Sequence, residues 1–339
     1  MNKIKILYIG NNLVSQTKYK ISMEILSELL EKENYLVKLS SNKKNKYIRF
    51  LDMCFNVINN RKHIDYILVD TFSTINYYYA FLISQIARLL EIKYIPILRG
   101  GNLPHRLDNS IRMSKMIFNN SYKNIAPSNY LKNEFEKRKF KVDFIPNVIP
   151  IENYNFKVRN TISPNLLYVR AFADFYNPLM AIDVLNELKN TYKEAKLCMI
   201  GPDKDGTQKL VEARIGELNL KDSVEITGVL SKEEWHKKSE QYDVFINTTN
   251  IDNTPISVIE AMALGLPVIS TNVGGLPYLL KNNIDGILVE PNSISEMVQG
   301  VHKLISNNEF SKEMILNARI KVKKFDWEIV KKKWLSILN

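Results

Sequence analysis

A single carboxylate interrupts an apolar segment in the C-terminal half of the chain. Glu260 is surrounded by isoleucine, valine, alanine, methionine and leucine, and a carboxylate in such a setting costs several kcal/mol unless hydrogen-bond donors reach it. Upstream, the sequence predicts a helix start with Thr254 as the N-cap and Pro255 as the first helical residue. The amides of Ile256 and Ser257 would then be free to bind an anion at the positive end of the helix dipole.

Glu260 follows Ile256 by four residues, so the carboxylate is expected on the same helix face as the anion site, one turn deeper. A phosphate site with an acid behind it suits a nucleotide, because ribose hydroxyls can donate hydrogen bonds to a carboxylate. A simpler interpretation is a buried acid that neighbouring amides cap in an ordinary α/β helix. The segment alone leaves both interpretations open.

The sequence at 252–275, DNTPISVIEAMALGLPVISTNVGG, resembles the signature of the retaining glycosyltransferases of family four, the glycosyl transferases group 1. In that family two acids stand eight positions apart, the first at the donor sugar and the second at the ribose. Asp252 and Glu260 match this spacing, although Asp252 is shorter than the usual Glu. The resemblance continues at 265–271 and 274–277 and covers nearly the whole chain more weakly. It implies the α/β GT-B fold, with two doubly wound Rossmann-like domains facing a cleft.

The resemblance also implies an arginine that pairs with the donor diphosphate at the end of the first strand of the second domain. Arg170 occupies this position, and a guanidinium suits phosphate because it donates two parallel hydrogen bonds. The family usually has a Lys five residues later, which this chain lacks, and Tyr176 would offer one neutral hydrogen bond instead. The alternative is a surface or ion-paired arginine, and the missing Lys leaves open a catalytically impaired protein.

Two loops are expected to present their backbone to the donor. Gly10 and Asn11 follow the first strand, where glycine allows a tight turn and a close approach to a ligand. This loop lacks the GxGxxG pattern, which disfavours a dinucleotide-dependent oxidoreductase. The resemblance implies that it faces the diphosphate and the acceptor, with a plain strand–helix turn as the alternative. In the second domain, the resemblance implies that backbone groups at Val229 contact the nucleobase, so no side chain identifies the base.

The loop at 99–102 closes the fourth strand of the first domain. Family members often have a His near the donor sugar where this chain has Arg99, and His105 comes six residues later. Gly100 would let the backbone approach the sugar, and Asn102 lies in the same loop. The side chains of Arg99, Asn102 and His105, like that of Tyr176, are further candidates for contacts with the donor.

Hydrophobic periodicity predicts strands that alternate with helices, which indicates parallel sheets with helices on both faces. Predicted strands are 4–9, 35–39, 66–69, 94–98, 142–145, 165–169, 196–200, 224–227, 244–247, 268–271 and 286–289. Predicted helices are 21–32, 48–59, 76–90, 111–118, 128–138, 178–189, 209–218, 233–241, 256–264, 294–306 and 326–338. We expect an N-terminal acceptor-side domain at 1–155 on which helix 325–339 packs back, a linker at 146–150 and 152–164, and a nucleotide-sugar-binding domain at 156–324.

The net charge of +11 is concentrated in the N-terminal half, where residues 1–150 carry 24 Lys and Arg against 12 Asp and Glu. This excess favours an anionic membrane surface or an anionic acceptor as partner, with an ordinary solvated surface as the alternative and nucleic acid not expected. No secretory segment or membrane-spanning run is visible, which predicts a cytoplasmic protein, peripheral at the inner membrane face. Metal-ligand spacing is missing, so neither a cofactor nor a metal is expected.

These observations predict transfer of a sugar from a nucleotide-diphosphate donor to an acceptor hydroxyl, with retention of configuration as the resemblance implies. The expected acceptor is a glycan or a lipid-linked molecule in the synthesis of a cell-envelope or exported polysaccharide or a glycolipid. Two alternatives stay open. The missing Lys and His favour a non-catalytic partner subunit, and a sugar-nucleotide epimerase on the same fold would need acid–base residues beyond His105.

Overall fold

The computed structural model describes residues 3–11 and 21–339. The chain divides into two compact units, an N-terminal unit of Met1–Val148 with Trp327–Asn339 and a C-terminal unit of Ile149–Asp326. No helix in the described part of the chain combines the length and the apolar character needed to span a membrane.

The described strands of the N-terminal unit form one parallel sheet with the order β2-β1-β3-β4-β5-β6. They are β1 (Lys5–Ile9), β2 (Leu36–Ser40), β3 (Tyr66–Thr71), β4 (Lys93–Leu98), β5 (Ile125–Ala126) and β6 (Asp143–Phe144). Strand β5 was not predicted, because a two-residue strand is too short to show periodicity. Since β1, β3 and β4 are neighbours, the residues at their carboxyl ends come together at one edge of the sheet.

Helices cover both faces of this sheet. They are α1 (Ser22–Lys32), α2 (Lys46–Asn60), α3 (Asn76–Leu89), α4 (Leu103–Asn109), α5 (Ile111–Phe118) and α6 (Asn129–Lys137). The buried side chains of α1 pack on one face of the sheet, and those of α2 and α3 form a separate cluster on the other face. Helix α4 was not predicted, since its first residues read as a loop after paired glycines.

The described strands of the C-terminal unit also form one parallel sheet, with the order β12-β11-β10-β7-β8-β9. They are β7 (Asn165–Val169), β8 (Lys196–Ile200), β9 (Val224–Gly228), β10 (Val244–Asn247), β11 (Val268–Thr271) and β12 (Ile287–Val289). These bounds agree closely with the predicted strands, because each strand is a short apolar run bounded by turn residues.

The helices of the C-terminal unit are α7 (Pro178–Thr191), α8 (Thr207–Glu217), α9 (Lys232–Ser239), α10 (Ile256–Leu264), α11 (Leu276–Leu279), α12 (Ile294–Ser306) and α13 (Asn308–Val322). Helices α11 and α13 were not predicted, although α13 packs against α10. The buried positions of α13 have helical spacing but include a serine and an alanine, and the exposed face carries Leu316 and Ile320, so the apolar pattern in the sequence is weak.

The stretch predicted as a polar linker, 152–164, packs into the C-terminal unit. Arg159 is 4% exposed and donates hydrogen bonds to the carbonyl oxygens of Ser239, Tyr242 and Gly265. Burial lowers the pKa of Arg159 to about 10. A buried guanidinium that is surrounded by carbonyl acceptors fixes this segment to the unit.

The last helix of the chain, α14 (Trp327–Leu338), belongs to the N-terminal unit. Its side chains at Val330 and Trp334 join the cluster that contains β1 and α1. Polar contacts support the same packing: the Trp327 Nε1 donates to Glu33 at 3.1 Å, and the Tyr35 hydroxyl donates to Asn339 at 2.8 Å. The sheet of the N-terminal unit is therefore covered on one face partly by the end of the chain.

We expect Trp334→Ala to lower the free energy of unfolding by about 3–5 kcal/mol, because it removes a large buried side chain from this cluster. Trp334 is 2% exposed. The measurement is urea denaturation followed by circular dichroism. Ile329→Ala is the control on the same helix, since Ile329 is 50% exposed and should change stability by no more than about 0.5 kcal/mol. Equal effects of the two substitutions would contradict the packing of α14.

Candidate functional site

The N-terminus of α10 differs from its predicted form in one respect. The helix begins at Ile256, and Pro255 in an extended conformation (φ −66°, ψ 120°) occupies the N-cap position. Thr254 is therefore not the N-cap, and no side chain caps this helix end. The proline ring fixes φ at a value that both helix and extended backbone allow, so its ψ decided where the helix starts.

The first turn of α10 leaves hydrogen-bond donors without partners. The amides of Ile256 and Ser257 donate to no group in the described part of the chain, as expected for the first residues of an uncapped helix. The Ser257 hydroxyl is buried and also lacks a partner there. Two amides and a buried hydroxyl at the positive end of a helix form a site for an anion.

The loop that leads into α10 is held by close backbone packing. The amide of Gly275 donates to the carbonyl of Asp252 at 3.1 Å. A Cβ atom at Gly275 would lie 1.5 Å from the carbonyl oxygen of Asn253, and one at Gly274 would lie 2.0 Å from that of Asp252. The paired glycines therefore allow the chain after β11 to pack directly against the backbone of the loop before α10.

Arg170 and Asp252 form an ion pair at this loop, with side chains that are 14% and 13% exposed. The other carboxylate oxygen, Oδ1, accepts from the amide of Asn253 at 2.7 Å. The ring of Tyr176 lies against the guanidinium of Arg170, with 4.1 Å between the ring centre and Cζ. The structure thus brings together three residues that the sequence nominated separately, and Tyr176 holds Arg170 by a cation–π contact.

Arg170 keeps an unused donor in this arrangement. Its Nε is buried and has no hydrogen-bond partner in the described residues. A guanidinium held from one side by an aromatic ring and from another by a carboxylate loses little freedom when a phosphate binds.

Glu260 is 4% exposed and is paired with two groups outside its own helix. Its Oε1 accepts from the Tyr154 hydroxyl at 2.8 Å and from the Lys232 Nζ at 2.6 Å. The Oε2 makes no hydrogen bond within the described residues, and the side chain keeps 6% exposure. The acid is therefore neutralised by Lys232 and still has an oxygen that can accept further hydrogen bonds.

Three rings, those of Tyr154, His236 and Trp235, pack on one another beside the Glu260–Lys232 ion pair. The ring of His236 packs at 4.8 Å from that of Tyr154 and at 4.5 Å from that of Trp235. Burial lowers the pKa of His236, although the nearby Glu260 carboxylate opposes this shift. Burial, together with the negative charge of Glu260, raises the pKa of Tyr154, so the tyrosine is a hydrogen-bond donor to the acid.

Local sequence explains how Lys232 reaches Glu260. Ser231 caps α9 by accepting from the amide of Glu234, whose side chain accepts in return from the amide of Ser231. This capping box fixes Lys232 as the first helical residue. Val229 lies just upstream in the same loop, directly after Gly228, which has φ +69°. The segment after β9 thus contains Val229, the predicted base contact, and Lys232, the cation that neutralises Glu260.

A second polar cluster lies in the N-terminal unit, at the carboxyl ends of β1, β3 and β4. Arg99 donates to Asp70 at 2.8 Å, to Asn147 at 2.7 Å and to the Tyr8 hydroxyl at 2.9 Å. The Tyr8 hydroxyl itself donates to Asp70 at 2.9 Å. Burial by itself would lower the pKa of Arg99, but Asp70 and Tyr8 raise it, so the arginine stays charged.

The predicted loop residues of this unit fall into two groups. Gly10 belongs with the cluster, because a Cβ there would lie 2.8 Å from the Met23 sulfur and 3.2 Å from Asp70. Gly100 approaches the backbone of Ser73 in the same way. The Asn11 side-chain oxygen is buried without a partner in the described residues, and its neighbour at position 12 lies outside them.

Asn102 and His105 stand apart from the cluster. Both are exposed, and Asn102 precedes α4 without a side-chain cap. The ring of His105 contacts the Asn109 amide on the same helix. His105 is therefore not part of the cluster around Arg99.

Sequence reasoning missed Asp70, Tyr8 and Asn147 in one unit and Lys232 and Tyr154 in the other. Asp70 carried the clearest signal, as an acid at the end of an apolar strand. Lys232 and Tyr154 are far from Glu260 along the chain, and nothing in their local sequence indicates the contact. Tyr154 was moreover assigned to the linker and the other domain.

Residues 152–321 match the family model of the glycosyl transferases group 1, which is half of the chain. An uncharacterized glycosyltransferase of Methanocaldococcus jannaschii is 27% identical over 268 residues, covering 75% of this chain and 71% of that protein. The amylovoran biosynthesis glycosyltransferase AmsK of Erwinia amylovora is 25% identical over 197 residues, covering 56% of this chain and 48% of that protein.

Solved structures extend the similarity to the whole chain. Anabaena HepE in complex with UDP and glucose has a TM-score of 0.78 at 16% identity, with 99% of each chain covered. The lipopolysaccharide outer core galactosyltransferase WaaB has a TM-score of 0.69 at 17% identity, again with 99% of each chain covered.

Two parallel sheets flanked by helices give the chain the GT-B fold. The chain belongs to the glycosyl transferases group 1. The family and the fold implied by the 252–275 signature are confirmed.

Gly275→Ala should lower the free energy of unfolding by at least about 2 kcal/mol, because the added methyl group would overlap the Asn253 carbonyl. Gly216→Ala is the matched control: Gly216 lies in α8, and a Cβ there meets nothing within 4 Å. It should leave stability unchanged or raise it by up to about 1 kcal/mol. Urea denaturation of both variants measures the difference. A Gly275→Ala protein as stable as the wild type would show that the glycine pair does not support the loop.

Proposed function

We propose that this glycosyltransferase moves a sugar from a nucleotide-diphosphate donor to an acceptor hydroxyl, with retention of configuration, and that the C-terminal unit binds the donor. The observation that carries the proposal is the uncapped N-terminus of α10, where two free amides and the buried Ser257 hydroxyl lack partners. The loop that leads into this helix end carries the Arg170–Asp252 pair, and Glu260 lies one turn deeper in the helix.

The donor diphosphate would bind between Arg170 and the first turn of α10. Departure of the nucleoside diphosphate develops negative charge on the leaving oxygen, and positioned donors stabilise that charge in the transition state. The free Nε of Arg170 and the amides of Ile256 and Ser257 would supply these donors. The cation–π contact with Tyr176 compensates in part for the missing Lys by fixing the single remaining cation.

The nucleoside would lie along α10 towards Glu260. The Oε2 of Glu260 would accept hydrogen bonds from the ribose hydroxyls, while Lys232 and Tyr154 hold the Oε1. Backbone groups at Val229 would contact the base. The complexes of HepE with UDP and with UDP-glucose support a uridine nucleotide as the first ligand to test.

Asp252 would bind hydroxyls of the donor sugar through its carboxylate. Asp252 pairs with Arg170, so a diphosphate bound at Arg170 would have this carboxylate beside it, and the sugar would be held beside the bond that breaks. Gly10, Asn11 and Gly100 of the N-terminal unit would contribute backbone contacts. In this proposal Arg99 is a structural residue that orders the sheet edge, and no metal ion or other cofactor takes part.

The acceptor would be a glycan or a lipid-linked molecule in the synthesis of a cell-envelope or exported polysaccharide. Two relatives act in such processes according to their names: AmsK in amylovoran biosynthesis and WaaB in the lipopolysaccharide outer core. The basic N-terminal half supports work at an anionic membrane face in the cytoplasm. Retention rests on the family resemblance.

Glu260→Ala should weaken the affinity for UDP roughly 10- to 100-fold, because the ribose hydroxyls lose a charged acceptor. Glu260→Gln keeps one acceptor oxygen and should weaken affinity less. Isothermal titration calorimetry with UDP measures both effects. Glu194→Gln, at an exposed acid of the same unit, should bind UDP like the wild type. Unchanged affinity in a folded Glu260→Ala protein would remove the ribose assignment.

Arg170→Ala should reduce turnover by about 100-fold or more, since it removes the only side-chain cation proposed at the leaving phosphate. Melting temperature should change little by comparison. The assay follows nucleoside diphosphate release from a panel of nucleotide sugars, including hydrolysis without an acceptor. Arg214→Ala is the control, because Arg214 also pairs with acids but is 40% exposed. Nucleotide binding without any release by the wild type would instead favour a non-catalytic partner subunit.

A further inference from the structure

Helix α2 exposes a continuous apolar stripe. Tyr47, Leu51, Phe55 and Ile58 recur at the spacing of one helix face, and Ile48 lies beside them. Their exposed fractions are 68%, 65%, 63%, 46% and, for Ile48, 55%. Solvent-exposed apolar residues are common singly, but five on one face of a 15-residue helix form a surface that favours a partner.

The opposite face of α2 already packs against the sheet of the N-terminal unit. Met53 and Val57 are buried in the cluster shared with α3, and Phe50 stacks on Tyr79 with 5.4 Å between ring centres. The core contacts of α2 are thus made by this opposite face, and the exposed stripe does not contribute to the core of the unit. Removing it should leave the unit folded.

Cations flank both ends of the stripe. Lys43, Lys44 and Lys46 precede the helix or start it, and Arg61 and Lys62 follow it. All five are exposed, and none pairs with a carboxylate in the described part of the chain. Asp52 is the only acid between positions 41 and 63.

The segment 43–45, which precedes α2, is held against the helix by hydrogen bonds. Asn45 caps α2 by accepting from the amides of Tyr47 and Ile48. The buried Arg49 donates to the carbonyl of Lys43 at 3.1 Å. The cations are thus held at the helix end, next to the apolar side chains.

We propose that the α2 surface, defined as Lys43, Lys44, Lys46, Tyr47, Ile48, Leu51, Phe55, Ile58, Arg61 and Lys62, docks the N-terminal unit onto an anionic lipid bilayer. A helix with apolar side chains on one face and cations around them inserts that face at the headgroup boundary, while the cations bind anionic lipids. The inference rests on the proposed function and deepens it, because it locates the membrane contact of an enzyme proposed to act on a glycan or a lipid-linked acceptor.

The charge of the α2 surface favours an anionic bilayer over a protein as its partner. Two copies of the chain that met through α2 would bring two sets of five unpaired cations together, which repel each other. Lysine is also depleted in protein–protein interfaces, where desolvating its ammonium group is costly. An anionic bilayer satisfies the apolar stripe and the cations at the same time.

The test uses the full-length protein and co-sedimentation with vesicles of phosphatidylcholine alone or of phosphatidylcholine with phosphatidylglycerol. The wild type should bind the anionic vesicles and lose binding as salt is added, since screening weakens attraction between exposed charges. Leu51→Gln/Phe55→Gln should reduce binding by about tenfold or more, because it removes apolar area from the inserted face. Lys43→Gln/Lys44→Gln should weaken binding and flatten its salt dependence.

Matched controls come from the C-terminal unit. Leu316→Gln/Ile320→Gln alters two exposed apolar residues one turn apart on α13, with exposed fractions of 41% and 61%. Lys221→Gln/Lys312→Gln alters two exposed lysines outside the α2 surface. Both control variants should bind vesicles like the wild type. Circular dichroism and UDP affinity should be unchanged in all four variants.

Three results would overturn the proposal: no binding to either vesicle at low salt, equal binding to neutral and anionic vesicles, or loss of binding that is no larger for the α2 variants than for the controls. A wild-type dimer that Leu51→Gln/Phe55→Gln converts to a monomer, measured by sedimentation velocity, would also overturn it in favour of a second copy. A protein that binds UDP and ignores vesicles loses only the membrane surface. One that binds vesicles through α2 without binding UDP or turning over loses only the proposed transfer.

Discussion

The buried carboxylate of Glu260 constrains much of the C-terminal unit. An ionised acid removed from water must be neutralised and hydrogen-bonded. The unit meets this demand with Lys232 from the start of α9 and Tyr154 from the segment before β7. The capping box positions Lys232, and the packing of 152–164 positions Tyr154, so both features place a partner beside the Glu260 carboxylate. Both contacts are made by Oε1, so the Oε2 of Glu260 makes no hydrogen bond among the described residues.

The loop before α10 shows how backbone packing and charge combine at the same sheet edge. Paired glycines bring the chain after β11 against Asp252 and Asn253, which holds Asp252 where Arg170 can pair with it. The helix end beside this pair has no cap. A capped helix would satisfy its own amides, whereas this one leaves them for an anion. The family signature at 252–275 thus contains the loop, the helix end and the acid of the proposed donor site.

The N-terminal unit carries its charges differently. At the sheet edge, Arg99, Asp70 and Tyr8 satisfy one another in a closed, buried network. Asp70 neutralises the arginine that stands where the family often has a histidine, and the hydrogen bonds of Arg99 join the ends of neighbouring strands. The unit also carries exposed cations beside the apolar residues of α2.

The sequence by itself determined the fold class, most strands and the bounds of α10, because apolar periodicity and turn residues are local properties. It also identified the family, because the 252–275 signature is contiguous. It missed β5, α4, α11 and α13, whose local patterns are short or weak. It also placed the N-cap of α10 at Thr254 rather than Pro255. Only the tertiary structure decided that Lys232 and Tyr154 satisfy Glu260 and that Arg99 pairs with Asp70. These partners come from segments that are distant in the sequence and meet only in the folded unit, and neither spacing nor composition encodes which distant side chain meets a given charge.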